Sequence, residues 1–377
     1  MSKSEEYDVI VIGSGPAGAT TALELVRLGY SVALVEDTSD NRWKIGECLP
    51  PVTKRLLLSL KLWEDFLDDR HRACYGVCSA WGSAELYHKS FIFDPYGSGW
   101  HLDRERFDKM LARSAAVAGT VRRLGSVVSC ARAESDHWRI MLRSPDDHRS
   151  TLLARFAVDA TGRRSWLARR QGASRINLDR LVSLVGVIAT TDATDLDSLT
   201  TVEATEYGWW YAARLPDDRL VLALMTDSDL QTVKTGMARD YWLAQLCRTV
   251  HIRKFIESKN YEVVSVSPTT AANSSCLNVA SGHSWLAVGD AAAAHDPLSS
   301  QGISTAMEMA MAASRVIHRY LNGDSEGLGN YAAEVKSAFL RYLVNLKFYY
   351  GMEQRWPQTL FWSRRTLVDG RPAPASR

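Results

Sequence analysis

Near its start the chain sets three glycines in Gly13-Ser14-Gly15-Pro16-Ala17-Gly18, a spacing that suits backbone to wrapping a pyrophosphate. Gly13 can take the positive φ of a tight turn leaving a strand. Gly15 has no Cβ to obstruct a phosphate, and Gly18 lets the next helix lie close to that strand. The N-terminus of such a helix offers free N–H groups and the positive end of its dipole. A glycine triplet alone is not specific, so its surroundings decide. Tyr7 to Ile12 reads as a strand, Ala17 to Leu28 has helical spacing that Gly29 stops, and Ser31 to Val35 reads as a second strand ending at Glu36. That acid falls about 20 residues on, where it meets a ribose and favours a free 2′-hydroxyl over a 2′-phosphate. One βαβ unit holding a dinucleotide is expected.

Three later stretches carry matching chemistry. Val158-Asp159-Ala160-Thr161-Gly162-Arg163 and Leu286-Ala287-Val288-Gly289-Asp290-Ala291 each end a β-rich run in a turn. Asp290 can accept hydrogen bonds from a polyol chain. Arg104 has a guanidinium suited to bidentate phosphate binding, with an ion pair to Asp108 one turn on as the competing reading. His295-Asp296-Pro297-Leu298-Ser299-Ser300-Gln301-Gly302-Ile303 precedes a long helical run, whose N-terminus points its dipole at whatever lies ahead.

The elements that must position these residues can be outlined. Val52 to Phe66 reads as a helix, Cys74 to Trp100 as strands and loops, and Leu102 to Val117 as a helix with Arg104 in its first turn. Val127 to Leu142 reads as two strands, and Phe156 to Gly162 as a strand running into a turn. Leu181 to Leu224 is read as several strands, with an aromatic cluster at Tyr207, Trp209, Trp210 and Tyr211. Ser284 to Val288 is a further strand, Ile303 to Leu321 a long helix, and the chain beyond Gly329 is helical and aromatic. The tail Arg371 to Arg377 is expected to be disordered.

Bulk properties exclude several classes. With 377 residues, 46% hydrophobic and 23% charged, this is an ordinary globular composition. A net charge of +2 and scattered arginine pairs give no track for nucleic acid. No apolar run approaches the roughly 18 residues of a membrane span, and no signal peptide is seen, so a cytoplasmic location is expected. The six cysteines show no paired metal spacing and are read as reduced thiols.

The motifs from Val158 and Leu286, together with the glycine turn, resemble the three fingerprints of the class A flavin monooxygenase and flavin-dependent halogenase superfamily, over roughly Tyr7 to Leu321. The resemblance implies an α/β architecture: a Rossmann-type FAD-binding domain (glutathione-reductase-like, p-hydroxybenzoate-hydroxylase-like) with an interleaved antiparallel β-sheet substrate domain. It implies FAD contacts from Gly13, Gly15, Ala17, Gly18, Glu36, Arg104, Val128, Thr161, Gly162, Gly289, Asp290, Pro297, Gln301, Gly302 and Ile303. The expected division is 1–72, 100–175 and 276–322 for the FAD-binding domain, 73–99 and 176–275 for the substrate domain, and 323–377 for a helical tail.

Two departures separate the branches. Flavin halogenases carry Gly-Trp-x-Trp-x-Ile, whereas this chain reads Gly208-Trp209-Trp210-Tyr211-Ala212-Ala213, with Tyr for the second Trp. Tryptophan halogenases carry a lysine that captures hypohalous acid; alignment on Cys74-Tyr75-Gly76 puts Ser79 or its neighbours there, and no lysine occurs between Cys74 and His88. The Pro297–Gly302 loop mixes halogenase and hydroxylase forms. Lys44-Ile45-Gly46-Glu47-Cys48-Leu49-Pro50-Pro51 and the terminal Glu353, Trp356-Pro357, Phe361-Trp362 and Arg364-Arg365 resemble a smaller branch. It contains the maturases of lysine ε-oxidase, glycine oxidase and amine dehydrogenase.

The expected activity is FAD-dependent monooxygenation of an electron-rich aromatic ring, an indole or phenol, through a C4a-hydroperoxyflavin. The substrate is a small aromatic molecule or a peptidyl tryptophan of a partner protein on the way to tryptophylquinone. Glu47 would orient or deprotonate, Tyr211 would line the pocket with Trp209 and Trp210, and His295 would exchange protons with solvent. Each has a blander reading: Glu47 bonding loop backbone, His295 a structural neighbour, and the aromatics plain core. Cys48 is not expected to do thiol chemistry without a base. O₂ is the co-substrate; electrons come from NAD(P)H directly or through a flavin reductase, because only one dinucleotide fingerprint is present. Halogenation of a small aromatic metabolite and a non-catalytic FAD-binding assembly role are the alternatives.

Overall fold

A computed structural model describes residues 5–37, 46–132, 137–144, 146–189, 198–230, 238–258 and 261–365, leaving aside the side chains of 126–132. The stretch Trp43 to Ile45, the tail from Arg371 and the side chain of Val128 lie outside the described residues.

Strand β1 (Glu5–Ile12) runs into helix α1 (Pro16–Arg27), which returns the chain to β2 (Val32–Glu36). Val9, Ile10, Val11, Ala33 and Leu34 are fully buried. Such unbroken apolar runs are what parallel strands covered on both faces require. β1 pairs in parallel with β2 on one side and with β3 (Arg149–Asp159) on the other. The long β3 pairs along its first half with antiparallel Trp138–Arg143, and at its end with parallel Trp285–Ala287. The registers Ile12↔Val35, Ile12↔Asp159 and Asp159↔Ala287 bring the carboxyl ends of four strands level. In open α/β sheets that edge is where ligands bind.

Helix α2 (Arg104–Val117) is capped by Asp103, whose carboxylate accepts the Arg106 N–H at 3.0 Å. Helix α3 (Gly302–Leu321) buries Ile303, Met307, Ala310, Ala313, Ser314 and Ile317, a stripe at helical spacing. α1 packs between α2 and α3, and α3 packs against α4 (Glu326–Gly351).

The second large sheet is built on β4 (Leu181–Ala189), β5 (Leu199–Thr205), β6 (Gly208–Arg214) and β7 (Leu220–Asp227), in the order β4-β7-β6-β5. Those pairings are antiparallel, but Gly76–Ala80 joins β5 in parallel and then pairs with the edge strand Tyr87–Ser90. Residues alternate between its faces. Trp210, Leu222 and Leu224 face helices Ala238–Leu246 and His251–Glu257, with Trp210 against Trp242. Trp209, Tyr211, Ala223 and Met225 face the other way, towards Tyr350, Phe361 and Trp362. The expectation that Trp209, Trp210 and Tyr211 share one pocket wall is therefore corrected: the two-residue period of a strand turns Trp210 to the far side.

The single helix expected over Val52 to Phe66 is two, Thr53–Ser59 and Trp63–Asp68. Leu60 and Leu62 are both buried, and Lys61 between them takes φ 52°, which breaks the helix. Among the described residues no helix is long and apolar enough to cross a membrane.

Candidate functional site

The glycine turn shows two kinds of fit. A Cβ on Gly13, at φ +108°, would stand 2.2 Å from the Ala160 carbonyl oxygen, and one on Gly18 would stand 1.8 Å from that of Gly13. These two glycines let β1, α1 and the end of β3 touch. Gly15 differs, since a Cβ there meets nothing within 4 Å. It caps α1 with no side-chain hydrogen bond, so the helix N-terminus opens onto space. Cβ atoms on Gly162 and Gly302 also meet nothing within 4 Å. Glycines that no protein neighbour demands, at helix starts and the carboxyl edge of a parallel sheet, form a cradle that fits a pyrophosphate-bearing dinucleotide.

Around this cradle the motifs are tied together. Asp159 is fully buried and accepts bonds from the Thr161 N–H (3.0 Å), the Thr161 hydroxyl (2.6 Å) and the Ala168 N–H (2.9 Å). Burial raises its carboxyl above the ordinary range, against those bonds. Gly289, at φ +58°, lets Ala17 and Ala306 close in. Arg163 donates to the carbonyls of Asn273 (2.6 Å) and His295 (3.1 Å), and its Nε lies 3.6 Å from Asp290. Arg175 donates to the Asp290 carbonyl at 2.6 Å and to the Ser165 hydroxyl. Arg175 carries no signal in the sequence, whereas Arg163 directly follows the Thr161-Gly162 turn and closes its motif. At the end of β2, Glu36 is held by Arg122. Arg104 donates to the Gly46 carbonyl at 3.1 Å and also meets Asp108 at 3.4 Å, so the competing ion pair is present too.

The 295–301 loop leads into α3. Asp296 is buried and caps the turn Pro297–Ser299, accepting the Leu298 N–H at 2.9 Å. Gln301 caps α3 without a side-chain bond, next to Gly302 and Ile303. Helix α4 grips this loop from behind. The Tyr342 hydroxyl accepts the Asp296 N–H at 2.7 Å, and the His295 ring stands edge-on to Tyr342 at 4.5 Å. Burial lowers the affinity of His295 for a proton where the ring packs against α4.

Where a small three-stranded sheet (Cys48–Leu49, Gly99–His101 and Arg72–Cys74) meets β5 lies a buried polar cluster. Glu47, 1% exposed, accepts the Gly46 N–H at 3.1 Å, the blander of its two expected roles. The Thr200 hydroxyl gathers Cys48 Sγ (3.0 Å), Cys74 Sγ (3.5 Å) and His101 Nε2 (2.9 Å). Burial pushes the Cys48 thiol up to about 12 and His101 down to about 4. The thiol is thus protonated and the ring neutral at physiological pH, and Cys48 is no nucleophile. The Tyr211 hydroxyl faces Cys48 and Glu47 and has no hydrogen-bond partner of good geometry among the described residues. In register, Tyr211 pairs with Val202 and Val202 with Ser79, placing all three in one row. Lys89 lies on the exposed edge strand, three strands from Tyr211, or about 14 Å across the sheet. Among the described residues no cluster of three His, Cys, Asp or Glu could hold a metal.

Comparison with known proteins agrees with this geometry. The family model described as an FAD binding domain matches residues 6–343. LodB of Marinomonas mediterranea, described as an FAD-dependent oxidoreductase, is 30% identical over 96% of this chain and 97% of its own. A tryptophan 2-halogenase of Chondromyces crocatus is 26% identical over 98% of this chain and 72% of its own. Among solved structures, the peptidyl tryptophan dihydroxylase QhpG is 27% identical over 96% of this chain and 78% of that one, with a TM-score of 0.78. The myxobacterial chondrochloren halogenase CndH superposes with a TM-score of 0.87 at 24% identity, over 97% and 87% of the two chains, which speaks for the fold. The chain belongs to the FAD-binding-domain family and is an FAD-dependent oxidoreductase of the class A flavin monooxygenase and flavin-dependent halogenase superfamily.

Proposed function

We propose that this chain hydroxylates an electron-rich aromatic ring, and that the ring is the indole of a tryptophan borne by a partner protein. The observation that carries hydroxylation is the row Tyr211, Val202 and Ser79 on one sheet face, with Tyr where halogenases carry a tryptophan and with Ser79 or its neighbours, none of them a lysine, at the relay position. Support for a peptidyl tryptophan comes from the 27% identity to QhpG. An exposed apolar row along α4 and at the residue just past its end, Leu340, Val344, Phe348 and Met352, is a further support: contiguous exposed apolar rows mark docking surfaces.

The residues that would hold FAD are Gly13, Gly15, Ala17, Gly18 and Glu36 at the first turn, Arg104, Thr161, Gly162, Gly289 and Asp290 along the carboxyl edge, and Pro297, Gln301, Gly302 and Ile303 at the start of α3. Reduced FAD supplies the capacity to activate O₂ and deliver one oxygen atom. The balance is Ar–H + O₂ + two electrons + two protons giving Ar–OH + H₂O, with the electrons from NAD(P)H directly or through a flavin reductase. The chain's own part is to seat the ring and exclude water. The buried Tyr211 hydroxyl is available to orient a bound ring, Glu47 holds a carboxyl group nearby, and His295 would exchange protons at the loop only against the burial that lowers its proton affinity.

Tyr211→Phe removes a hydroxyl whose protein neighbours are Cys48 and Glu47, with no bond of good geometry to either, so the melting temperature should stay close to that of wild type. Turnover should fall about tenfold if that hydroxyl meets substrate, the worth of about one hydrogen bond. The reaction class is tested by mass spectrometry of a tryptophan-bearing peptide after incubation with reduced FAD, O₂ and bromide. A gain of about 16 mass units per oxygen added is expected. A bromine isotope pair would overturn the proposal in favour of a halogenase. Maturation of a partner that survives complete loss of FAD binding would favour the assembly role.

A further inference from the structure

Helix α4 makes one buried connection that the proposed chemistry does not use. The indole N–H of Trp209, on the substrate-facing side of β6, donates to the Tyr350 hydroxyl at 2.9 Å. That hydroxyl donates in turn to Asp296 Oδ2 at 2.8 Å. Asp296 Oδ1 accepts the Leu298 N–H, and its own N–H is bonded to Tyr342. Trp209, Tyr350 and Asp296 are 1%, 2% and 3% exposed, so water does not compete for these bonds. The chain of donors therefore has one direction, from the sheet that would seat the aromatic substrate to the loop that opens α3.

We propose that Tyr350 is a positioning residue, linking the substrate face through Trp209 to the FAD loop through Asp296, so that the charge on Asp296 sets how the loop meets the flavin. The inference rests on the FAD assignment, while its test needs no hydroxylation. Tyrosine is suited to the part because one hydroxyl can accept and donate at once. Phenylalanine would fill the same space and break both bonds. The groups facing Asp296 are Tyr350 and Tyr342 on α4, Asp179 before β4, and Arg365 near the end of the described chain. Burial, the largest influence, pushes its carboxyl up to about 6. Above that pH the carboxylate accepts from Tyr350 and Leu298 together; below it, protonation weakens the acceptor and loosens the link.

The test is flavin fluorescence of the FAD-loaded full-length protein, titrated from about pH 5 to about pH 8. Wild type should change about twofold with a midpoint near pH 6, because the isoalloxazine senses the loop. Tyr350→Phe and Asp296→Asn should both give flat profiles, at a folded fraction equal to wild type by circular dichroism. Asp296→Asn keeps an acceptor for Leu298, so it remains informative if Tyr350→Phe fails to fold. His295→Gln should keep the midpoint, since that ring lies outside the donor chain. A flat wild-type profile, an unchanged midpoint in Asp296→Asn, or its loss in His295→Gln would each overturn the proposal. If hydroxylation is absent but the profile behaves as stated, the functional reading falls and this one stands.

Discussion

Gly15→Ala should fold as wild type does and fail to retain FAD, whereas Gly18→Ala should fail to fold. The two glycines are three residues apart in one motif, so the contrast isolates what each does. At Gly15 the backbone is ordinary, φ −67° and ψ −178°, and the added methyl meets no protein atom within 4 Å. Only the cradle in front of α1 is changed. A methyl that keeps a pyrophosphate from the helix N–H groups should raise the FAD dissociation constant about 100-fold, or about 2.7 kcal/mol. At Gly18 the methyl would lie 1.8 Å from the Gly13 carbonyl oxygen and 3.0 Å from the Ala160 methyl. Backbone cannot yield there without parting α1 from β1, which places the loss beyond about 4 kcal/mol. Thermal melts with and without FAD read both effects. Wild type should gain stability with added FAD by linkage, and Gly15→Ala should not. Equal FAD affinity in Gly15→Ala and wild type would remove the glycine turn from the cofactor site.

Asp227→Asn should destabilise the protein by about 3–5 kcal/mol, the usual result of leaving a buried partner charge uncompensated. Asp227 closes β7, is 1% exposed, and accepts from Arg364 at 2.8 Å and from Arg365 at 2.5 and 3.1 Å. Arg365 is itself buried, its guanidinium 3.8 Å from the Phe361 ring and 5.3 Å from that of Tyr350. The Trp362 indole N–H donates to the Thr205 carbonyl at 2.8 Å and anchors the same segment to β5. An amide in place of Asp227 leaves the Arg365 cation dry and without its counter-ion. Urea denaturation monitored by tryptophan fluorescence should show the midpoint fall, with an early phase as Trp362 is released. Replacing Arg365 by leucine in the same variant should recover much of the loss, because the stranded charge is gone. A midpoint unchanged in Asp227→Asn would mean that the ion pair does not hold this segment down.

The residues of the cradle were legible in the sequence because their requirements are local. A positive φ at Gly13 and a missing Cβ at Gly15 are properties of single residues, and Glu36 follows by counting along one βαβ unit. Strand limits came through because buried parallel strands must be apolar without interruption, as in Val9 to Ile12. The break at Lys61 was not legible, since Val52 to Phe66 has helical spacing throughout and only the burial of Leu60 and Leu62 forces the turn. Trp209, Trp210 and Tyr211 illustrate the same limit. Their order along the chain is plain, but which of them pack towards Tyr350 and Trp362 depends on which elements cover each side of the sheet.

By itself, then, the sequence determined a dinucleotide turn, the three fingerprints of an FAD protein, and the replacement of a halogenase tryptophan by Tyr211. Each rests on one residue or a few neighbours, whose chemistry is the same wherever the chain runs. Only the tertiary structure decided that Thr200 collects Cys48, Cys74 and His101, that Arg163 laces three motifs together, and that Tyr350 joins Trp209 to Asp296. Those bonds span up to 152 residues, and no local preference encodes them. They exist because strands and helices far apart in the chain bury their faces together, and each polar group carried inside must then find a partner from whatever segment lies opposite.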